Sequence, residues 1–83
     1  MYSYEATDDA AGQIDELPDH LRLPFMEFIG FLTLTPWSGR PYRSEKPDGP
    51  MRRMDIGPNS ECQVVYLVLD DDRRVIVLNV LWI

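Results

Sequence analysis

The strongest structural signal in this sequence is a pair of apolar segments near its C-terminus. Residues 63–69 read Gln-Val-Val-Tyr-Leu-Val-Leu, and residues 74–83 are apolar at nearly every position. Runs of β-branched residues are typical of buried strands, and the polar residues 70–73 are few enough to form a hairpin turn. The sequence therefore predicts a central antiparallel hairpin, with the second strand in the core through to Ile83.

The length and composition of the chain predict one domain that covers residues 1–83. With 45% hydrophobic and 27% charged residues, the 83-residue chain has a globular composition and must use most of its large apolar side chains in one core. No apolar run approaches the ~20 residues of a membrane-spanning helix, and no leader-like segment opens the chain. The single cysteine, Cys62, fits a reducing compartment, so we expect a cytoplasmic protein without membrane association.

The first half of the chain alternates between strand and helix signals. Residues 2–6 alternate aromatic with small or polar side chains, which is the period of a strand. Apolar residues then recur at helical spacing in two stretches, one from Thr7 that Pro18 ends and one from near Asp19 that Pro36 ends. We expect two helices joined by a very short connection. Pro24 lies either in the first turn of the second helix or in a disturbed turn of a helix that begins earlier, and we favour the earlier start.

One further strand completes the predicted fold. Residues 51–56 alternate, which places Arg52, Met54 and Ile56 on one face of a strand. The order β-α-α-β-β-β predicts an α+β fold, with a helical hairpin packed on one face of a four-stranded, mostly antiparallel sheet.

The segment before and within this strand differs from the rest of the chain in charge. The net charge is −6, yet residues 36–60 contain five basic and three acidic side chains. An acidic domain is a poor general nucleic-acid binder, so any anion-binding surface should lie in this segment. Aromatic and cationic side chains together are typical of single-stranded RNA binding, and the candidates are Trp37, Arg40, Tyr42, Arg43, Lys46, Arg52 and Arg53. In the alternative interpretation, the two aromatic rings cover the edge of the core while the cations face water.

Residue patterns for other chemistries are weak. The only histidine, His20, and Cys62 lie on different predicted elements, which does not favour a metal site or a nucleophilic pair. Three aspartates at residues 70–72 lack the alternate spacing and the glycine of a calcium loop. Gly39 and Gly49 lack the strand and helix context of a phosphate-binding loop. We therefore expect neither a metal nor a cofactor.

Three short motifs, in this element order, give the chain a resemblance to a known family. Residues 51–57 (Met-Arg-Arg-Met-Asp-Ile-Gly) resemble a basic strand that ends in glycine, and residues 63–70 resemble an Arg-Val-Val-Tyr strand. Residues 74–80 resemble the strand that closes the sheet in the same family. The chain is similar in these respects to the RelE/ParE toxin superfamily of toxin–antitoxin systems.

The resemblance implies a toxin with a protein antitoxin as its partner. RelE-like members cut messenger RNA on the ribosome, whereas ParE-like members poison gyrase. The family's RNases use a cluster of Lys and Arg side chains, often with Tyr, His or Glu. Such cations stabilise the charge that develops on the scissile phosphate, while a poised group activates the 2′-hydroxyl.

Little of that RNase site is found when the resemblance is carried over residue by residue. Arg53 matches the first basic position, with Arg52 beside it, and these two are the only catalytic candidates. Asp55 and Gln63 stand where the family has basic residues. The residues after Val80, where the family continues with glycine and basic residues, are here Leu81, Trp82 and Ile83.

These observations predict a RelE/ParE-like protein with a degenerate or absent RNase site that acts by binding a macromolecule. Its expected partners are a cognate antitoxin and a target such as the ribosome or messenger RNA. One alternative is an active RNase with a relocated cationic site at Arg40, Arg43, Arg52 and Arg53. Another is an interaction module or homodimer that is not a toxin.

Overall fold

The computed structural model describes all 83 residues and contains two helices and five strands. Two 3₁₀ turns, Pro36–Ser38 and Asp70–Asp72, connect some of these elements. No helix is both long and apolar enough to cross a membrane. In chain order the elements are β1 (Ser3–Ala6), α1 (Asp8–Asp15), α2 (Asp19–Leu34), β2 (Arg40–Pro41), β3 (Met51–Ile56), β4 (Cys62–Leu69) and β5 (Arg74–Trp82).

The sheet is mixed, with strand order β1-β5-β4-β3-β2. The predicted hairpin of β4 and β5 is present at its centre, and β1 pairs in parallel with β5, with Ser3 opposite Arg74. The prediction of four strands was wrong, because a fifth strand, β2, pairs with β3 at the edge. It has two residues, one of them Pro41, and no alternation of its own, so the sequence pattern contains no signal for it.

Both helices begin close to where the sequence predicts. Thr7 caps α1 by accepting a hydrogen bond from the Ala10 amide, with an Oγ1 to N distance of 3.1 Å. Helix α2 begins at Asp19 and continues through Pro24, which agrees with the earlier of the two starts considered. The three residues between the helices include Leu17, which is 3% exposed and belongs to the core.

The core fills one side of the sheet. The inward side of α2 packs against alternate residues of β4 and β5, among them Val64, Tyr66 and Val77. The C-terminal end does not follow the prediction of a core strand through to Ile83. Leu81 is 51% exposed and Ile83 is fully exposed, because alternation turns Leu81 away from the helices and the strand ends at Trp82.

Candidate functional site

The side of the sheet that faces away from the helices carries a continuous surface, which we call the open face. Alternation along β3 places Met51, Arg53 and Asp55 on this face, opposite to the core side chains. Their partners on β4 are Leu67, Val65 and Gln63, in the same order. The β5 residues that pair with those three are Ile76, Asn79 and Leu81.

Two arginines lie side by side at one edge of the open face. Arg53 pairs with Arg40 of β2 on one side and with Val65 of β4 on the other. Like charges on directly opposite residues of neighbouring strands repel each other unless a counter-charge lies nearby. The Nε atom of Arg53 is buried and has no hydrogen-bond partner. It therefore lacks the acceptor that a buried donor normally has.

Asp55 neutralises one of these two cations. Its Oδ2 accepts a hydrogen bond from Nη2 of Arg40 at 2.7 Å, which is a charge-assisted ion pair. Asp55 lies directly opposite Gln63, and Gln63 lies opposite Leu81. These three positions form a row across the open face without a basic side chain. The resemblance to the toxin superfamily places basic groups at or next to these positions.

Arg52 points to the other side of the sheet and has a different role. Its side chain is 8% exposed and donates to three backbone carbonyls, those of Gly39, Pro47 and Gly49, over 2.9–3.2 Å. Its guanidinium also lies over the ring of Trp37, 5.4 Å from the ring centroid. These contacts use its donors to hold the irregular segment between β2 and β3 against the domain.

Tyr66 fixes the segment between α2 and β2. Its buried hydroxyl donates to the carbonyl of Pro36 at 2.8 Å and accepts from the amide of Gly39 at 3.0 Å. Burial raises the pKa of this hydroxyl, so it remains a donor at neutral pH. A Cβ atom at residue 39 would overlap the Tyr66 hydroxyl, which explains why glycine occupies this position.

The remaining binding candidates, one aromatic and two basic, lie next to the open face. Tyr42 follows β2, and its amide donates to the carbonyl of Met51 at 2.9 Å while its ring is 47% exposed. Arg43 and Lys46 line a cavity of about 290 Å³ that Met51 also lines. The structure thus brings five of the seven sequence-predicted binding residues to the open face or its margin. The other two are not on this face: Arg52 points from β3 to the helix side, and Trp37, which is 40% exposed, lies in the turn before β2 next to the Arg52 guanidinium.

Trp37 is anchored to the turn between β4 and β5. Its Nε1 donates to Oδ1 of Asp70 at 3.1 Å, and the hydroxyl of Tyr2 donates to the same oxygen. These hydrogen bonds, that of Tyr2 first, lower the pKa of the Asp70 carboxyl. One carboxylate therefore joins the N-terminus, the loop and the central hairpin.

We expect Asp70→Asn to weaken the acid sensitivity of folding. The pKa of Asp70 is lower in the folded protein than in the unfolded chain, so its contribution to stability is present above its unfolded pKa of about 4. That contribution is lost as the pH falls through the lower folded value. Urea unfolding at a neutral and at an acidic pH should therefore show a smaller difference in the variant. Asp71→Asn, which changes an aspartate without such hydrogen bonds, is the control and should leave the difference unchanged.

The structure also places the weaker sequence candidates. His20 lies 3.1 Å from Oε2 of Glu61, measured from its Nε2, while Cys62 is fully buried in the core. The Asn59 amide and then His20 lower the pKa of the Glu61 carboxyl by hydrogen bonding. No group of three or more His, Cys, Asp or Glu side chains is arranged to hold a metal ion.

Comparison with proteins of known structure identifies the fold. No protein-family model and no curated protein matches the sequence. The isolated E. coli RelE toxin is similar in structure, with a TM-score of 0.81 and 15% identity over 99% of this chain and 84% of the toxin chain. The chain has the RelE fold. A Mycobacterium tuberculosis RelBE2 toxin–antitoxin complex contains a similar chain, with a TM-score of 0.77 and 23% identity over 99% of this chain and 98% of that one.

A third RelE-fold structure comes from an archaeon. The RelE–RelB complex of Pyrococcus horikoshii matches with a TM-score of 0.67 and 15% identity, over 98% of this chain and 93% of that one. Several of these similar chains were therefore solved together with an antitoxin. At these identities the likeness establishes the RelE fold, which confirms the fold that the sequence resemblance implied.

Proposed function

We propose that this protein is a RelE-like toxin-superfamily member that acts by binding RNA on its open face, without the standard RNase site. The observation that carries this proposal is the row formed by Asp55, Gln63 and Leu81. A general acid–base group and several cations are needed to cleave RNA at an appreciable rate. This row contains no cation, and its only carboxylate, that of Asp55, is held in an ion pair with Arg40.

The binding part of the proposal is supported by the groups that remain. Arg53 is partly exposed and forms no ion pair, so the terminal N–H groups of its guanidinium can donate to a phosphate oxygen. The half-exposed ring of Tyr42 lies at the same edge and could stack on a base. Arg43 and Lys46 extend the positive charge into the neighbouring cavity. This surface is limited in extent, so we expect modest affinity and a salt dependence set by the few phosphates that it contacts.

A cognate antitoxin is the partner that we propose for this chain. Similar chains form complexes with RelB antitoxins in E. coli, Mycobacterium tuberculosis and Pyrococcus horikoshii. The test is the neighbouring gene, whose product should copurify with this protein after coexpression. If no small neighbouring gene exists, or if its product does not bind, the antitoxin proposal fails.

We expect the purified protein to leave messenger RNA intact on programmed ribosomes. The reason is that Asp55 holds Arg40 in an ion pair, which leaves Arg53 without a second free cation opposite it and leaves the Asp55 carboxylate engaged. Primer extension across the A-site codon, with an active RelE as the positive control, measures cleavage. Strong cleavage that Arg53→Ala abolishes would overturn the proposal and favour an active RNase with a relocated cationic site.

That active RNase is the second candidate function, and the partly exposed guanidinium of Arg53, which forms no ion pair, is the observation in its favour. The sequence placed this relocated site at Arg40, Arg43, Arg52 and Arg53. Because the donors of Arg52 are engaged by backbone carbonyls, the cations to test are Arg40, Arg43 and Arg53.

An interaction module or homodimer without toxin activity is the remaining alternative, and a growth assay distinguishes it. Such a protein would neither inhibit growth on expression nor bind RNA. A homodimer would show twice the mass of one chain in analytical ultracentrifugation.

A further inference from the structure

Helix α2 is apolar on both sides. Its inward side packs in the core through Leu21, Phe25, Phe28 and Leu32. On its outward side Leu23, Met26 and Leu34 are each 63–69% exposed. A helix that is hydrophobic all round is normally buried, and a surface helix normally has a polar outer side. The outward side of α2 is therefore left uncovered by the rest of the chain.

A shallow groove widens this apolar surface. It has a volume of about 510 Å³ and lies between α2 and the segment where β3 ends and turns. Its lining includes Phe31 of α2, which is 47% exposed, together with Ile56 and Pro58. Monomeric proteins seldom expose contiguous apolar patches larger than a few hundred Å², and larger ones mark sites of interaction. We call the groove and the outward side of α2 together the helix surface.

Glu27 supplies the one charge in the middle of the helix surface. It lines the groove, follows Met26 on the outward side of α2, and forms no ion pair. The other ionisable groups on α2 lie in its first turn, where Asp19 pairs with Arg22 and His20 contacts Glu61. A partner that covers the helix surface must therefore bring a positive charge to Glu27 or leave a carboxylate buried and unpaired, which is costly.

We infer that the helix surface binds an amphipathic helix that carries a lysine or arginine among its apolar residues. The apolar side chains of such a helix would cover Leu23, Met26 and Leu34, and its base would pair with Glu27. A second copy of this chain fits less well. Each copy has a net charge of −6, and α2 offers no basic residue between Leu23 and Leu34 to meet a second Glu27.

This inference does not depend on the proposed function. The helix surface lies on the helix side of the sheet, whereas Arg40, Arg53 and Tyr42 lie on or beside the open face. Both surfaces can therefore be occupied at the same time. Loss of RNA binding would leave the helix surface unaffected, and loss of peptide binding would leave the open face unaffected.

The test uses synthetic helical peptides and the full chain. Each peptide has leucines at helical spacing, alanine and glutamine elsewhere, and one lysine whose position along the apolar side varies across the set. A matched set carries glutamate in place of the lysine. Fluorescence anisotropy of the labelled peptides measures affinity. We expect at least one lysine peptide to bind about tenfold or more tightly than its glutamate counterpart.

Charge exchange on the protein distinguishes a specific contact from general attraction. Glu27→Lys should reverse the preference, so that the glutamate peptide binds more tightly than the lysine peptide. Asp71→Lys makes the same change in net charge at an exposed turn and should preserve the original preference. Leu23→Asp should abolish binding of both peptides, with an unchanged melting temperature because Leu23 is exposed.

Three results would overturn the inference. The first is that no lysine peptide binds more tightly than its glutamate counterpart. The second is that Glu27→Lys and Asp71→Lys have the same effect on the preference. The third is a dimer, detected by sedimentation, that Leu23→Asp dissociates, because a second copy would then be the occupant of the helix surface.

Discussion

Replacing Arg52 with alanine should lower the free energy of unfolding by about 3 kcal/mol. The guanidinium is nearly buried and donates to the carbonyls of Gly39, Pro47 and Gly49. Its removal leaves those acceptors without their donor and takes away the cation that lies over Trp37. Since these contacts hold the long loop, we also expect the loop to become sensitive to proteases at native conditions.

Matched variants separate the structural role of Arg52 from a role in binding. Arg43→Ala removes an exposed arginine of the same segment and should change the unfolding free energy by less than about 0.5 kcal/mol. Arg52→Lys keeps the charge but cannot reach several carbonyls in the way a planar fork does, so its loss of stability should be intermediate. Urea denaturation measures all three. If Arg52→Ala were as stable as Arg43→Ala, the role assigned to Arg52 would be wrong.

Arg52 also shows what the sequence could and could not predict. Alternation in residues 51–56 correctly grouped Arg52 with Met54 and Ile56, but the charge of Arg52 made it a candidate for binding. Which carbonyls an arginine meets depends on how a loop of prolines and glycines folds back, and such a loop has no periodicity. The same absence of periodicity hid β2, whose pairing with β3 brings Arg40 next to Arg53.

Other parts of the fold followed from periodicity alone. The hairpin of β4 and β5 and the start of α2 at Asp19 agree with the sequence predictions, because apolar patterning over many residues is a strong local signal. The exposure of Leu81 could not be predicted in this way, because a nearly continuous apolar run does not indicate which face of the strand is buried. The outward residues of α2 were overlooked for the same reason: a helix that is apolar on both sides hides its uncovered side.

Reversal of both open-face cations should remove RNA binding. In the double variant Arg40→Glu, Arg53→Glu we expect the affinity for a short single-stranded RNA to fall by at least about 100-fold at low salt. Each cation that contacts a phosphate contributes about 0.7 to the steepness of log affinity against log salt for single strands. Arg53 is unpaired and Arg40 is shared with Asp55, so the steepness should fall by at least about 0.7. Fluorescence anisotropy over a salt series measures both quantities. Unchanged affinity would contradict the proposed binding site.

The matched control lies on the other side of the molecule. Arg22→Glu changes an exposed arginine of α2, which pairs only with Asp19, and should alter the affinity and the salt slope little. A melting curve for each variant shows whether the fold persists. The single variant Arg53→Glu keeps the exposed Arg40 opposite residue 53, so a pair of opposite charges replaces the pair of like charges. This single variant should therefore remain folded.

Asp55 allows the same site to be tested in the opposite direction. Its carboxylate holds Arg40 at 2.7 Å and so competes with any phosphate for that guanidinium. Asp55→Asn removes the competing charge at nearly the same volume, and we expect RNA affinity to rise by about tenfold at low salt, with a steeper salt slope. An increase of this kind, absent when Asp71→Asn removes an equal charge elsewhere, would show that the free cation and not the net charge controls binding. Equal increases in both variants would instead mean that RNA responds only to the overall charge of the protein, and the open face would lose its assignment as the RNA site.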